Sequence, residues 1–287
     1  MSIESDYYNQ YVGMTPEAYI RQTQMENPRQ MERAKRIAAT LPANTRSVLD
    51  IGCGGGIALN EVRQRFNDHE IECVGLERSE LTAAAARNLF GLKVVEGSAD
   101  ALPFEDKSFD FVMANELLEH LTWATYQAAL KEIARVARHG ILITTPFNER
   151  RQFVTCPKCN CAFSPFYHVR SFDDSTLAGL FEGFSRIQQE LIWVKGRTPL
   201  LYEARRLKAA LGYVPLLPKH TICPQCGYRN PKASAPADSA KKKVTSADGT
   251  PGTLNRLVTG MWGRLPRRKR PKWAIVVYSR LTEAAGA

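Results

Sequence analysis

The sequence has no run of 18 or more apolar residues, so no segment is expected to cross a bilayer as a helix. Its opening residues, Met1-Ser-Ile-Glu-Ser-Asp-Tyr-Tyr8, show no basic stretch followed by an apolar one, which reads against a secretory signal. It also lacks a ladder of evenly spaced cysteines. Of seven, Cys53 and Cys73 stand alone, and Cys156, Cys159, Cys161, Cys223 and Cys226 cluster. That usage points away from a disulfide framework and towards a reducing, cytoplasmic location with a metal site. Acidic residues are nearly missing from one long stretch. Residues 195–272 hold 3 Asp and Glu against 18 Lys and Arg, a net +15 in a chain of net +10, which leaves the remainder near −5. A basic segment this concentrated usually meets phosphate, in nucleic acid or on an anionic membrane. The plain alternative is a solvated loop, since Pro, Ser, Ala and Lys dominate 231–252. With 287 residues and 44% hydrophobic content, the chain can bury one full core and still carry an insertion.

Residues 1–45 read as a mostly polar helical lead-in with Tyr7, Tyr8, Tyr11 and Tyr19 scattered through it. Strand and helix patterns then alternate. Strands are expected at 46–51, 71–76, 92–96, 109–114 and 140–145, and helices at 57–66, 80–90 and 123–137. A further helix is expected at 173–181, then strands at 185–195 and 273–280. Such alternation implies a parallel sheet with helices on both faces, an α/β fold wound in both directions. The segment 196–271 interrupts the last two strands. Its own candidates are two amphipathic helices, at 200–211 and 254–262.

The stretch Val48-Leu-Asp-Ile-Gly-Cys-Gly-Gly-Gly-Ile57 runs from a buried strand through glycines into a helix. Glycines let a backbone approach a ligand closely, and ligands of such sheets lie at the carboxyl ends of strands. No Lys follows, so this is not the phosphate loop of nucleotide hydrolases, and Ile57 stands where the dinucleotide fingerprint needs its third glycine. The pattern is D-x-G-x-G-x-G from Asp50 to Gly56.

Asp50-Ile-Gly52-Cys-Gly54-Gly-Gly56 resembles the first motif of class I S-adenosylmethionine-dependent methyltransferases. Three further stretches fall in order behind it: Val-Gly-Leu-Glu77-Arg78, Gly97-Ser-Ala-Asp100-Ala-Leu-Pro-Phe, and Ser108-Phe-Asp-Phe-Val-Met-Ala-Asn115-Glu-Leu-Leu-Glu119-His120-Leu. Together they are similar to the branch that includes quinone and sugar methyltransferases, strongly over about 45–145 and weakly in the flanks. The resemblance implies a seven-stranded, mostly parallel sheet with an antiparallel last strand. It implies that Gly52 and Gly54 pass under the methionine part of the cofactor and that Asp50 helps to hold its amino group through water. Glu77 would accept from both ribose hydroxyls and Asp100 from the adenine amino group. Leu76, Arg78 and Ala101 would flank the ring, and Asn115 would sit near the methionine end. For each residue alone a plainer reading exists: Asp50 as a strand-end turn residue, Glu77 as a surface acid before a helix cap.

If the acceptor is a hydroxyl, a general base is expected, and His is the usual one near neutral pH. His120 follows strand four, where the methyl would lie; the plainer reading is a helix residue packing locally. His168, in Phe166-Tyr167-His168-Val-Arg170-Ser-Phe172-Asp, competes for the role, and by resemblance that position tends to line the acceptor pocket. Tyr167 and Arg170 are candidate acceptor contacts. The acceptor expected is a small molecule: a hydroxyl on a sugar, a glycan or a lipid-linked compound. RNA methylation with the basic module as the grip is a second reading, and a cofactor-binding protein without catalysis a third.

Cys156-Pro-Lys-Cys159 and Cys223-Pro-Gln-Cys226 are two C-x-x-C knuckles, each placing two thiolates on one tight turn. Two knuckles complete a tetrahedral zinc shell, and a four-cysteine site is closed and structural. Cys161, His168 or His220 could replace one ligand. Cys53 and Cys73 read as small core residues. The domains expected are a cap at 1–45, a methyltransferase core at 46–195 with 272–283, and a zinc-binding basic insertion at 196–271 tied to Cys156 and Cys159. Lys241-Lys-Lys243 and Arg267-Arg-Lys-Arg270 are its sharpest charge runs. An apolar face containing Leu254, Leu257, Val258, Met261, Trp262 and Leu265 beside the second run suits peripheral contact of 254–272 with an anionic membrane at its inner face. Contact with RNA phosphates fits less well, since aromatic residues are sparse there.

Overall fold

The computed structural model of the chain describes residues 15–66, 71–195, 217, 221–228 and 269–281. Its contacts form two compact units: Met1–Gln152 with Phe166–Ile192 and Pro271–Ala287, and Phe153–Pro165 with Trp193–Arg270.

The first unit is built on a seven-stranded sheet. In chain order the strands are β1 (Ser47–Ile51), β2 (Glu72–Glu77), β3 (Lys93–Glu96), β4 (Phe109–Asn115), β5 (Ala137–Pro146), β8 (Phe184–Lys195) and β9 (Lys269–Arg280). They lie side by side as β3-β2-β1-β4-β5-β9-β8. The first five pair in parallel, and β9 runs antiparallel to β5. This is the doubly wound, mostly parallel sheet of a Rossmann-like methyltransferase. Every residue of β1 is buried, as is all of β4 except Asn115. A strand that is apolar at both odd and even positions must be covered on both faces, which helices here supply. Strand order reverses between β1 and β4, so the carboxyl ends of those two strands flank the crevice where such sheets bind ligands.

The helices are α1 (Pro16–Ile20), α2 (Pro28–Thr40), α3 (Ile57–Arg65), α4 (Glu80–Phe90), α5 (Trp123–Val136) and α6 (Asp174–Ala178), with a π-helical turn at Arg21–Met25. Their ends follow local chemistry. Ser79 Oγ accepts from Thr82 N–H at the start of α4, and Gly91 closes it at φ 62°. The helix expected at 173–181 is shorter. Asp173 caps it, but it stops at Ala178 before Gly179. The chain then turns so that Phe181 packs its ring edge-on against Tyr278, centroids 5.1 Å apart. Glycine is a poor helix former, and burial of Phe181 decides the path after it. β5 and β9 both begin earlier than their alternation indicates. Ile20, at the end of α1, is buried against the glycine loop: a Cβ on Gly55 would lie 2.8 Å from its Cγ1. None of the described helices is long and apolar enough to cross a membrane.

In the second unit, β6 (Val154–Thr155) and β7 (Ala162–Phe163) form an antiparallel ribbon whose turn carries the first cysteine pair. Residues 153–165 thus group with the basic segment, whereas the boundary read from sequence leaves them in the core. Residues 221–228 carry the second pair. The expected helices at 200–211 and 254–262, the run Lys241–Lys243, Arg267 and Arg268, His220, and Tyr7, Tyr8 and Tyr11 lie outside the described residues.

Candidate active site and cysteine centre

The glycine loop between β1 and α3 is fixed by backbone bonds to the end of β2: Gly52 N–H and Cys53 N–H donate to the Leu76 carbonyl at 2.7 and 3.1 Å. Gly52, Gly54 and Gly56 all have positive φ, 67°, 53° and 79°. At Gly54 a Cβ would meet nothing within 4 Å, so the space over this peptide is open. At Gly56 it would meet Leu92 Cδ1 at 2.6 Å and Ala86 Cβ at 3.2 Å. One glycine therefore leaves room above the loop, and the other lets the loop pack on α4 and its flank.

Two carboxylates face this loop. Asp50, at 0% exposure in β1, accepts from Asn115 Nδ2 at 3.0 Å through Oδ1. Its Oδ2 has no partner, and neither has Asn115 Oδ1. Burial, with Glu77's charge as a lesser contribution and against the Asn115 hydrogen bond, lifts the Asp50 carboxyl to about 7. Glu77, closing β2, accepts from Gly54 N–H at 2.9 Å and from Ser79 N–H at 3.0 Å, one on each oxygen. Burial raises its pKa, opposed by those backbone bonds. A carboxylate offers about four acceptor positions, so Glu77, bonded to backbone at Ser79, Gly54 and Arg78, retains some acceptor capacity for a ligand. Buried polar atoms are normally paired. The orphaned oxygens of Asp50 and Asn115, beside an open, left-handed glycine loop, fit a ligand that brings its own N–H donors, as the methionine end of S-adenosylmethionine does. Further along the strand ends, Arg78 and Ala101 are exposed, and exposed Asp100 accepts from the Ser98 hydroxyl.

At the carboxyl end of β4 the structure gathers a second set. Glu119 is 1% exposed, with both carboxylate oxygens unpartnered. The rings of His120 and His168 meet edge-on with centroids 4.8 Å apart. Burial, and then His168, pulls the His120 pKa down to about 3, against its hydrogen bond to the Tyr167 backbone; its Nδ1 is unpartnered. His168 is held through Nδ1 by Glu149 Oε2. Burial and the charges of Glu116 and Glu149 push the Glu119 carboxyl well up. Glu116 and Tyr167 both hold left-handed backbones, φ 50° and 58°, a strained state for non-glycine residues and one that collects at functional sites. Arg170 is committed within the fold. It donates to the Leu118 carbonyl, and its guanidinium lies 3.8 Å over the Tyr126 ring. Sequence reading set His120 and His168 as competitors for one role and gave no role to Glu119 or Glu149. The only sequence signal for them is an acid beside each candidate segment.

The cysteine pairs of the second unit converge. Cys156 Sγ lies 3.6 Å from Cys226 Sγ, and Cys159 Sγ 3.5 Å from Cys223 Sγ. All four sulfurs fall within 4.8 Å of one another, and all are free thiols. Sulfurs about 2.3 Å from a tetrahedral zinc stand roughly 3.8 Å apart, close to these spacings. The knuckles are alike in backbone too. Cys156 N–H donates to the Cys161 carbonyl and Cys223 N–H to that of Tyr228, and each knuckle is followed by a left-handed residue, Asn160 or Gly227. Cys161 and His168 are not among the four. Cys53 is buried in the core beside β1 and β2, and Cys73 packs against it partly buried.

Sheet order, glycine loop and the acids at the strand ends define a domain of the class I, S-adenosylmethionine-dependent methyltransferase type. Residues 48–140 match the family model described as a methyltransferase domain. Over 104 residues the chain is 34% identical to a fatty-acid O-methyltransferase of Mycolicibacterium smegmatis, covering 36% of this chain and 37% of that protein. Over 106 residues it is 31% identical to phthiotriol/phenolphthiotriol dimycocerosates methyltransferase 1 of Mycobacterium ulcerans, covering 37% and 38%. The chain thus spans well under half the length of these curated relatives. A chain of the complex between the Haloferax volcanii Trm112 methyltransferase activator and a methyltransferase shares the fold at TM-score 0.51 and 15% identity, over 96% of this chain and 98% of that one.

Proposed function

We propose that the chain transfers a methyl group from S-adenosylmethionine to a hydroxyl oxygen of a sugar, a glycan or a lipid-linked small molecule. The observation that carries the cofactor assignment is the pair of buried, unpartnered oxygens, Asp50 Oδ2 and Asn115 Oδ1, beside the open peptide of Gly54. Asp50 and Asn115 hold the amino end of the cofactor, and Gly52 and Gly54 give its chain room. Glu77 accepts from the ribose hydroxyls, Asp100 from the adenine amino group, and Leu76, Arg78 and Ala101 flank the ring. When bound, the cofactor supplies an electrophilic methyl on a sulfonium, and the protein supplies orientation. The acceptor is placed at the end of β4, beside His120, His168 and Tyr167. A His pulled to about 3 is neutral and weakly basic, so the proton acceptor proposed is His168, which Glu149 orients. Arg170 acts by holding the loop that carries Tyr167 and His168. The names of the two mycobacterial relatives support an acceptor of lipid type. The four thiols hold a structural zinc ion, and the basic stretch 254–272 gives peripheral contact with an anionic membrane.

Calorimetric titration with S-adenosylmethionine, wild type beside Glu77→Ala, tests the assignment. The wild type is expected to bind at micromolar concentration. The variant loses charge-assisted hydrogen bonds worth about 1.5–3 kcal/mol each and should bind at least about tenfold more weakly. No binding by a folded wild-type chain would overturn the methyltransferase reading.

A further inference from the structure

We propose that Glu119, His120 and His168 form a binding site for one divalent transition-metal ion. One ligand atom from each, a carboxylate oxygen and two ring nitrogens, lies within 4.8 Å of the others. Metal–ligand distances of about 2.0–2.2 Å put such atoms roughly 3–4 Å apart, so closure on an ion needs side-chain shifts of about an ångström. Three features mark this as a site. Glu119 is buried with neither oxygen hydrogen-bonded, a costly state that a cation relieves. His120 is anchored to the Tyr167 backbone, while its Nδ1 is buried and unpartnered, a lone pair with no other use. His168 is bonded through Nδ1 to Glu149, the carboxylate–histidine arrangement that turns the opposite nitrogen towards a metal.

Two imidazoles and one carboxylate suit manganese, iron, cobalt or zinc, whereas magnesium and calcium favour all-oxygen shells. Three protein ligands leave coordination positions open, in contrast to the closed shell of the four cysteines. Resting on the methyl-transfer reading, those positions would take the oxygen of the acceptor hydroxyl and make it more acidic, its proton passing to water; the ion, occupying the free nitrogen of His168, would replace that histidine as the activating group.

Manganese is the discriminating probe, because thiolate sites favour softer ions. The 287-residue chain, its cysteine site loaded with zinc, is titrated with Mn2+ and free ion is followed by electron paramagnetic resonance. One Mn2+ per chain is expected. Glu119→Gln and His168→Gln should bind it at least about tenfold more weakly, and Cys223→Ser as tightly as the wild type. Glu149→Gln, at the edge of the cluster, keeps the test open if a buried variant fails to fold; loss of such a supporting carboxylate costs about 10–100-fold in affinity. A wild type that takes up no Mn2+, or ligand variants that bind it undiminished, would overturn the site. S-adenosylmethionine titrations on the same samples report the methyltransferase reading separately, so either can fail alone.

Discussion

Asp50 shows how much a single buried oxygen can set. Its carboxyl is lifted to about 7 chiefly because β1 is sealed on both faces. A group whose pKa is raised by folding binds more protons in the native state than in the unfolded one, so its stabilising contribution is whole at low pH and is lost as pH rises through the folded value. The ligand-free protein should therefore lose stability between about pH 4 and pH 7 on account of this residue. Asp50→Asn removes the titration. Its melting temperature should gain on the wild type at pH 8, by about 2–4 °C for each kcal/mol relieved, and show little gain at pH 4.5. Equal differences at both pH values would show that the carboxyl ionises normally. The same variant should bind S-adenosylmethionine poorly at either pH, because a neutral amide gives no charge to the ligand's amino group.

The glycine loop separates two demands that one element must meet. Gly54 and Gly56 both sit at positive φ, where a side chain costs roughly 1–2 kcal/mol. Only Gly56 is also crowded, by Leu92 and Ala86. Gly56→Ala should then melt well below the wild type, with a loss of about 2–5 kcal/mol when overpacking is added to the backbone cost. Gly54→Ala should melt lower only by that backbone cost of about 1–2 kcal/mol, yet lose cofactor affinity, since its methyl projects into the open space over the loop. Paired thermal melts and titrations would decide, and a Gly54→Ala chain with undiminished binding would place the cofactor elsewhere.

Across the whole molecule, the four thiols join two stretches of chain that are far apart in sequence and that the ribbon alone could not hold. A metal bound only by the folded state contributes its binding free energy to folding. Protein as isolated should carry one zinc per chain, and Cys226→Ser should lose most of it. Chelation should open residues 153–165 and 221–228 to limited proteolysis while S-adenosylmethionine binding persists, because every residue proposed to hold the cofactor lies in the other unit. A metal-free wild type that resists protease equally well would remove the structural role.

The local patterns were legible in the chain itself. Strand–helix alternation, the D-x-G-x-G-x-G loop, Glu77 at a strand end and the two C-x-x-C knuckles are each written within a few residues, because periodicity, turn chemistry and ligand spacing are short-range. What only tertiary structure decided depends on which distant segments come to lie together. The helix after Asp173 ends early because Phe181 reaches Tyr278. Asp50 has a lone oxygen because β4 brings just one amide donor to it. Arg170 meets the Leu118 carbonyl and the Tyr126 ring, which lie far from it in sequence. Above all, Glu119 meets His168, and His168 meets Glu149, through the adjacency of loops that follow β4 and β5. Burial turned those meetings into chemistry: in water the same groups would be solvated and ordinary, but at the end of the sheet both Glu119 oxygens and His120 Nδ1 are buried without a partner.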